Sequence, residues 1–177
     1  MGNEIPENMV VFNKPNSAIS DTLFYYSEDT RFEGEICFLI TDGQITGVGF
    51  GLDLTHADIQ NRLKTKGLPW ERAKAFDGSS VLSTFVPFSS DMTTLSMKLY
   101  INGLLIQFAN YDLMMYKPDV MVEEIKNFMT LEDGDIIMSG TPKGVGTYSE
   151  SDLFLGQVYS GETLLVEQKW VVERRVN

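Results

Sequence analysis

Arg31-Phe32-Glu33-Gly34-Glu35-Ile36-Cys37-Phe38-Leu39-Ile40 is the stretch on which the reading of this chain turns. After Glu35 it is apolar and rich in β-formers, which predicts a buried strand. Side chains alternate faces along a strand, so Glu33 and Glu35 point the same way, their stems roughly 6–7 Å apart. Two ionised carboxylates side by side repel, and one takes up a proton unless a positive charge lies between them. Their hard oxygens suit Mg²⁺, Mn²⁺ or Ca²⁺. The same pattern also fits two solvated glutamates at a strand end, because E-x-E is common.

Outward from this strand, short strands dominate. Thr41-Asp42-Gly43 is a turn, and Gly47–Asp53 is a glycine-rich strand whose glycines suggest close approach to another backbone, or bulges. Thr55 with Asp58 three residues later predicts a helix that ends near Lys66-Gly67. Leu95–Ile101 alternates with period two, Asn102-Gly103 is a hairpin turn, and Leu104–Phe108 is the return strand. Val120–Met129 reads as an amphipathic helix, Asp135–Ser139 as a buried strand, and residues 152–170 as one or two more strands. Upstream, Val10–Pro15 reads as a short strand stopped by its proline, and Leu23–Tyr26 as another. With no repeat and no linker, residues 1–177 read as one α+β domain dominated by β structure.

The 177 residues carry a net charge of −11, which argues against nucleic-acid or anionic-membrane partners. An acidic chain that handles an anionic substrate needs a local cation, and that again favours a metal. The one cysteine, Cys37, excludes an internal disulfide and a Cys-based zinc site and reads as a small buried hydrophobe. No apolar run is long enough to span a bilayer, and no signal peptide is evident, so the expected location is the cytoplasm.

Three further features carry chemical interest. Ser139–Gly146 is glycine-rich but not a P-loop; its backbone N–H groups and the Thr141 hydroxyl could face an anion, or it is an ordinary tight turn. Lys74, set among Ala73, Ala75 and Phe76, could stabilise a developing negative charge or could snorkel at the surface. His56, the only histidine, reads as a solvated residue at a helix start.

Taken in order, the motifs are Phe12-Asn13-Lys14-Pro15, Glu33-Gly34-Glu35, Leu52-Asp53-Leu54-Thr55 with Asp58-Ile59-Gln60, and Lys66–Trp70 with Ala73–Asp77. Ile101-Asn102-Gly103 with Gln107 and Leu131–Gly146, which contains Gly140-Thr141-Pro142, complete the series. The series resembles the fumarylacetoacetate hydrolase family, in its small acylpyruvate hydrolase and oxaloacetate decarboxylase branch, over nearly the whole chain.

The resemblance implies a mixed β-roll with short helices, a homodimer, and a Mg²⁺ or Mn²⁺ site with Glu33, Glu35 and Asp53 as ligands, Ca²⁺ being a substitute. It further implies that Gln60, Lys74 and Thr141 hold the carboxylate and keto oxygens of a small 2-oxo acid, Lys74 also acting in catalysis. The chemistry so implied is C–C bond cleavage through a metal-stabilised enolate, by acylpyruvate hydrolysis or oxaloacetate decarboxylation. The alternatives are an isomerase or hydratase acting on a 2-oxo dicarboxylic acid, and a metal-binding dimer without turnover. A carbohydrate- or peptide-binding β-domain would match the β content but not the carboxylates.

Two departures matter. The family's arginine before the aspartate matching Asp58 is Ala57 here, preceded by His56. The family's Gly-x-Asn-Tyr lid, with its water-activating histidine and glutamate, has no counterpart in the sequence, which opens where that segment would end. The expectation is a chain that lacks the lid, or one whose lid precedes this sequence, with hydrolysis impaired more than enolate formation.

Overall fold

A computed structural model describes residues 9–175. In chain order the elements are β1 (Ile19–Ser20), β2 (Phe24–Tyr25), β3 (Thr30–Phe32), β4 (Gly34–Thr41), β5 (Gln44–Asp53), β6 (Thr55–His56), α1 (Ala57–Thr65) and α2 (Glu71–Lys74). They continue with β7 (Ser80–Leu82), β8 (Val86–Pro87), β9 (Leu95–Ile101), β10 (Leu104–Asn110), α3 (Pro118–Lys126), β11 (Ile136–Met138), β12 (Gly146–Thr147), β13 (Leu153–Ser160), β14 (Thr163–Val171) and β15 (Glu173–Arg174).

A mixed sheet runs β1-β7-β5-β4-β11, with β8 also paired to β5. Only its β1–β7 pair is parallel. A second, antiparallel sheet runs β10-β9-β13-β14. The two pack face to face, β5 against β13 and β14, and β4 against β9. Phe50 fills the space between them. A Cβ at Gly156 would lie 2.4 Å from its ring, so glycine alone fits there, and Trp170 tilts against Phe50 at 6.1 Å. Phe154 meets Phe32 and Tyr148 edge-on. Each large apolar side chain buried here contributes about 1.5–3 kcal/mol.

β9 has the expected bounds and alternates buried and half-buried residues from Leu95 to Tyr100, Ile101 being half-buried, and Asn102 and Gly103 take φ of 51° and 81°, as a two-residue hairpin turn demands. The glycines of β5 mostly admit side chains: Phe85 covers Gly49 and the Cys37 sulfur covers Gly51, while Gly47 lies against the Val86 carbonyl. Cys37 is fully buried, as expected.

Three expectations need correction. Thr55 does not cap a helix: Thr55 and His56 pair with β3, and α1 begins at Ala57. The Thr55 side chain is thereby buried, its hydroxyl without a hydrogen-bond partner among the described residues. Residues 10–15 form no strand; they pass along the wall of a cavity before a 3₁₀ turn at Asn16–Ala18. α3 runs Pro118–Lys126 instead of Val120–Met129, because proline serves well at the first helical position, where its missing N–H costs nothing.

Candidate active site

The tight β4–β5 hairpin gathers the three acidic residues. Gly34 pairs with Leu52 and Glu35 with Gly51, and the Asp53 N–H donates to the Glu33 carbonyl at 2.8 Å. Glu33 lies in the break between β3 and β4, not within one continuous strand. One carboxylate oxygen from each of Glu33, Glu35 and Asp53 still lies within 4.8 Å of the others. Glu35 and Asp53 are buried and Glu33 is partly so.

Two lysines supply the counter-charge. The Lys74 ammonium, on α2, reaches Glu33 Oε2 at 2.6 Å and Asp53 Oδ2 at 2.7 Å, with the Phe12 ring 5.2 Å away. Burial opposes this ammonium, but Asp53 and Glu33 together outweigh it and hold its pKa above that of a free lysine. Lys14 reaches Asp53 Oδ1 at 2.8 Å. It also donates to the Ser79 carbonyl and hydroxyl, each at 3.0 Å, and to the Lys74 carbonyl. Four oxygens around three N–H groups make Lys14 a fixed counter-charge, and burial lowers its pKa.

Glu35 has no lysine of its own. Burial first, then the charges of Asp53 and Glu33, push its pKa up to about 8, although the Gly140 N–H donates to its Oε2 at 2.6 Å. Burial also raises the pKa of Glu33, against the pull of Lys74. Three carboxylates and two ammoniums sum to −1, so at neutral pH the cluster holds a proton on Glu35 or accepts a cation. The donor set is all hard oxygen, which fits Mg²⁺, Mn²⁺ or Ca²⁺. Each carboxylate oxygen has two lone-pair sites, so the lysine contacts leave one of them open.

The glycine-rich loop does meet an anion: Glu35 itself. Gly140 takes φ of 89°, reserved in practice for glycine, as its N–H engages that carboxylate. The Thr141 hydroxyl donates to the Gly34 carbonyl at 3.0 Å and accepts from Gln107 Nε2 at 2.9 Å. Gln107 Oε1 in turn accepts from the Gly34 N–H at 2.9 Å. A Cβ on Gly34 would lie 2.8 Å from that oxygen and 3.1 and 3.2 Å from Leu99 and Phe50, so a side chain between the two glutamates would push the Gln107 amide aside.

A cavity of about 1110 Å³ opens on this cluster, and Lys14, Glu33, Glu35, Asp53 and Thr141 line it. Gln60 and Lys74 do not. Gln60 is half-buried on α1, and at 100° of rotation per residue its place in a motif does not determine which way it faces. Lys74 is turned onto the carboxylates and donates to Glu33 Oε2 and Asp53 Oδ2. His56 also lies off the cavity. It stacks on Phe76 at 4.0 Å, and burial lowers its pKa. Lys14 and Gln107, which the structure brings to this cluster, went unassigned in the sequence. Each stood inside a quoted motif; for Gln107 the available signal was a polar side chain in an apolar run, whereas Lys14, between Asn13 and Pro15, carried no such signal.

Comparisons with known proteins bear on the family and the fold. The family model described as "Fumarylacetoacetate (FAA) hydrolase C-terminal" matches residues 2–173. Oxaloacetate tautomerase YcgM of Escherichia coli is 34% identical over 86% of this chain and 78% of its own length. The mitochondrial oxaloacetate tautomerase FAHD1 of Bos taurus is 32% identical over 98% and 85%, respectively. Among solved structures, fumarylpyruvate hydrolase of Pseudomonas aeruginosa, in complex with Mn²⁺ and pyruvate, superposes with a TM-score of 0.81 at 27% identity. That match covers 93% of this chain and 78% of that one. With motif order, β-dominated fold and sequence similarity in agreement, the chain belongs to the fumarylacetoacetate hydrolase family of enzymes.

Proposed function

We propose that this protein interconverts the keto and enol forms of a small 2-oxo acid, held through its carboxylate and keto oxygens at the Glu33–Glu35–Asp53 cluster. The observation that carries the reading is the convergence of three carboxylates within 4.8 Å beside two buried lysines. A divalent cation bound there would supply positive charge where the keto oxygen becomes an enolate. Lys74 and Lys14 already balance two of the three carboxylates, so a divalent charge leaves the cluster at +1. A chain of net charge −11 thereby gains one locally cationic, water-poor spot for an anionic substrate. Gly140 and the Gln107–Thr141 pair keep the cluster in place as charge develops, which is what preorganised stabilisation requires.

The names of the two tautomerases support enolisation, and that of the fumarylpyruvate hydrolase supports cleavage through the same kind of enolate. Tautomerisation is the reading we favour. Enolisation moves the C3 proton to a base and a proton onto the keto oxygen, so it needs a proton carrier as hydrolysis does; the preference rests on two tautomerase relatives at 34% and 32% identity against a hydrolase at 27%.

The test is proton exchange at carbon 3 of oxaloacetate or pyruvate in D₂O, followed by NMR with Mg²⁺ or Mn²⁺ present, alongside calorimetric titration of the cation. Wild type should exchange above the cation-only background, and Glu35→Gln should lose both cation affinity and exchange. Equal cation affinity in the two proteins would remove the metal site, and exchange at background in wild type would remove the function.

A further inference from the structure

The cavity is far larger than a small 2-oxo acid requires. At about 1110 Å³ it exceeds even the roughly 300–1,000 Å³ typical of pockets for drug-sized ligands. Its composition is lopsided. Its charged lining is the carboxylates and Lys14; its apolar lining, here called the arm, is Met114, Tyr116, Met121, Ile125, Met129 and Leu131, and Gly134 and Asp135 just after Leu131 bond to Ile40, five residues along β4 from Glu35. Met121 and Ile125, from α3, are buried, and Met114, Met129 and Leu131 are half-buried side chains packed on the same core.

Charge separates the two ends. Lys14 is the one cation among the described lining residues, and it is already bound to Asp53, Ser79 and Lys74. The loop before β11 adds an anion, exposed Asp135. A second carboxylate on the substrate would therefore meet no counter-charge in the arm, whereas an alkyl or aryl chain would meet adaptable methionines. Resting on the 2-oxo acid reading above, we propose that this arm is a subsite for an extended apolar substituent, so that the substrate class is a 2-oxo monocarboxylic acid with an apolar chain beyond the keto carbon.

The experiment measures binding, not turnover. The Mn²⁺-loaded protein is titrated calorimetrically with pyruvate, 2-oxopentanoate, 2-oxohexanoate, 2-oxooctanoate and 2-oxoglutarate. Affinity should climb with chain length by up to about fourfold per methylene, the value of burying one CH₂, and 2-oxopentanoate should outbind 2-oxoglutarate, its five-carbon dicarboxylic counterpart. Met129→Lys and, independently, Met114→Lys, each checked for fold by circular dichroism and for retained pyruvate binding, should erase the chain-length gain and shift preference toward 2-oxoglutarate. Pyruvate binding with no dependence on chain length, as would follow if another protein surface covers the arm, overturns the subsite and leaves the head-group reading intact. So does stronger binding of 2-oxoglutarate than of 2-oxopentanoate, or a chain-length gain that survives both lysine variants. Failure of every acid, pyruvate included, overturns the 2-oxo acid reading itself.

Discussion

At the carboxylate end of the cavity, side chains are directed by one another. Lys74 is held by Glu33 and Asp53, Glu35 by the Gly140 N–H, and Thr141 by Gly34 and Gln107. Along the arm, Met114, Met129 and Leu131 are half-buried against the core, and packing does most of the placing, the Asn13 amide adding one weak hydrogen bond to the Met129 sulfur at 3.9 Å. The first end suits a ligand whose atoms must be located to fractions of an ångström, because developing charge is stabilised only by groups already in position. The second suits a ligand part that needs only to leave water. One cavity thus divides recognition between a rigid head and a tolerant tail.

The division can be broken most severely at Lys74. Lys74→Met should lower enolisation by roughly 10²–10³-fold, the scale of losing one preorganised electrostatic partner. The loss should be equal for short- and long-chain acids, since Lys74 touches only the head. Because Lys74 acts through Glu33 and Asp53, it is a positioning residue, and cation affinity measured beside turnover separates its electrostatic role from packing. Near-normal turnover, or a loss that grows with chain length, would contradict the division. Gln107→Ala gives a smaller, structural effect. It strands the buried Gly34 N–H and frees Thr141, which should cost about 1–3 kcal/mol of stability, read as a shifted denaturant midpoint. Unchanged stability would mean that the head is held together by something other than this amide.

The sequence made the head legible in part. Glu33 and Glu35 follow from strand alternation, though Glu33 in fact lies in a break between strands. Asp53 came from the resemblance, and the structure supplies its physical reason: a tight hairpin brings the end of β5 back beside the start of β4. Lys14 and Gln107 stayed without roles because their partners are distant in sequence; the Lys14 ammonium reaches over 60 positions to the Lys74 carbonyl, and Gln107 over 73 to Gly34. Gln60 shows the converse, a motif position whose side chain is off the cavity. β9 and its turn were readable because local pattern and tertiary role coincide there. Thr55 misled because its capping pattern is local, whereas its strand pairing with Arg31 is not. The arm was legible only in part: Met121 and Ile125 share the apolar spacing of α3, whereas Met114 and Met129 lie outside that helix and carry no periodic signal.

The β4–β5 hairpin also bears on how the chain folds. It is a short-range contact and should form early, and it draws Glu33, Glu35 and Asp53 together from 20 positions of chain. Their counter-charges arrive from outside it, Lys14 from before and Lys74 from after. An early hairpin therefore gathers three like charges before either lysine docks, and their repulsion belongs to the folding barrier as much as to the native state. A divalent cation at this stage would serve as a temporary counter-charge, so Mn²⁺ should speed refolding as well as slow unfolding in stopped-flow measurements, and high salt should mimic the acceleration in part. A refolding rate indifferent to both would place the docking of Lys14 and Lys74 ahead of hairpin closure. On this view the residues proposed to handle the substrate's charge have a prior task, governing the order in which the chain can close around them.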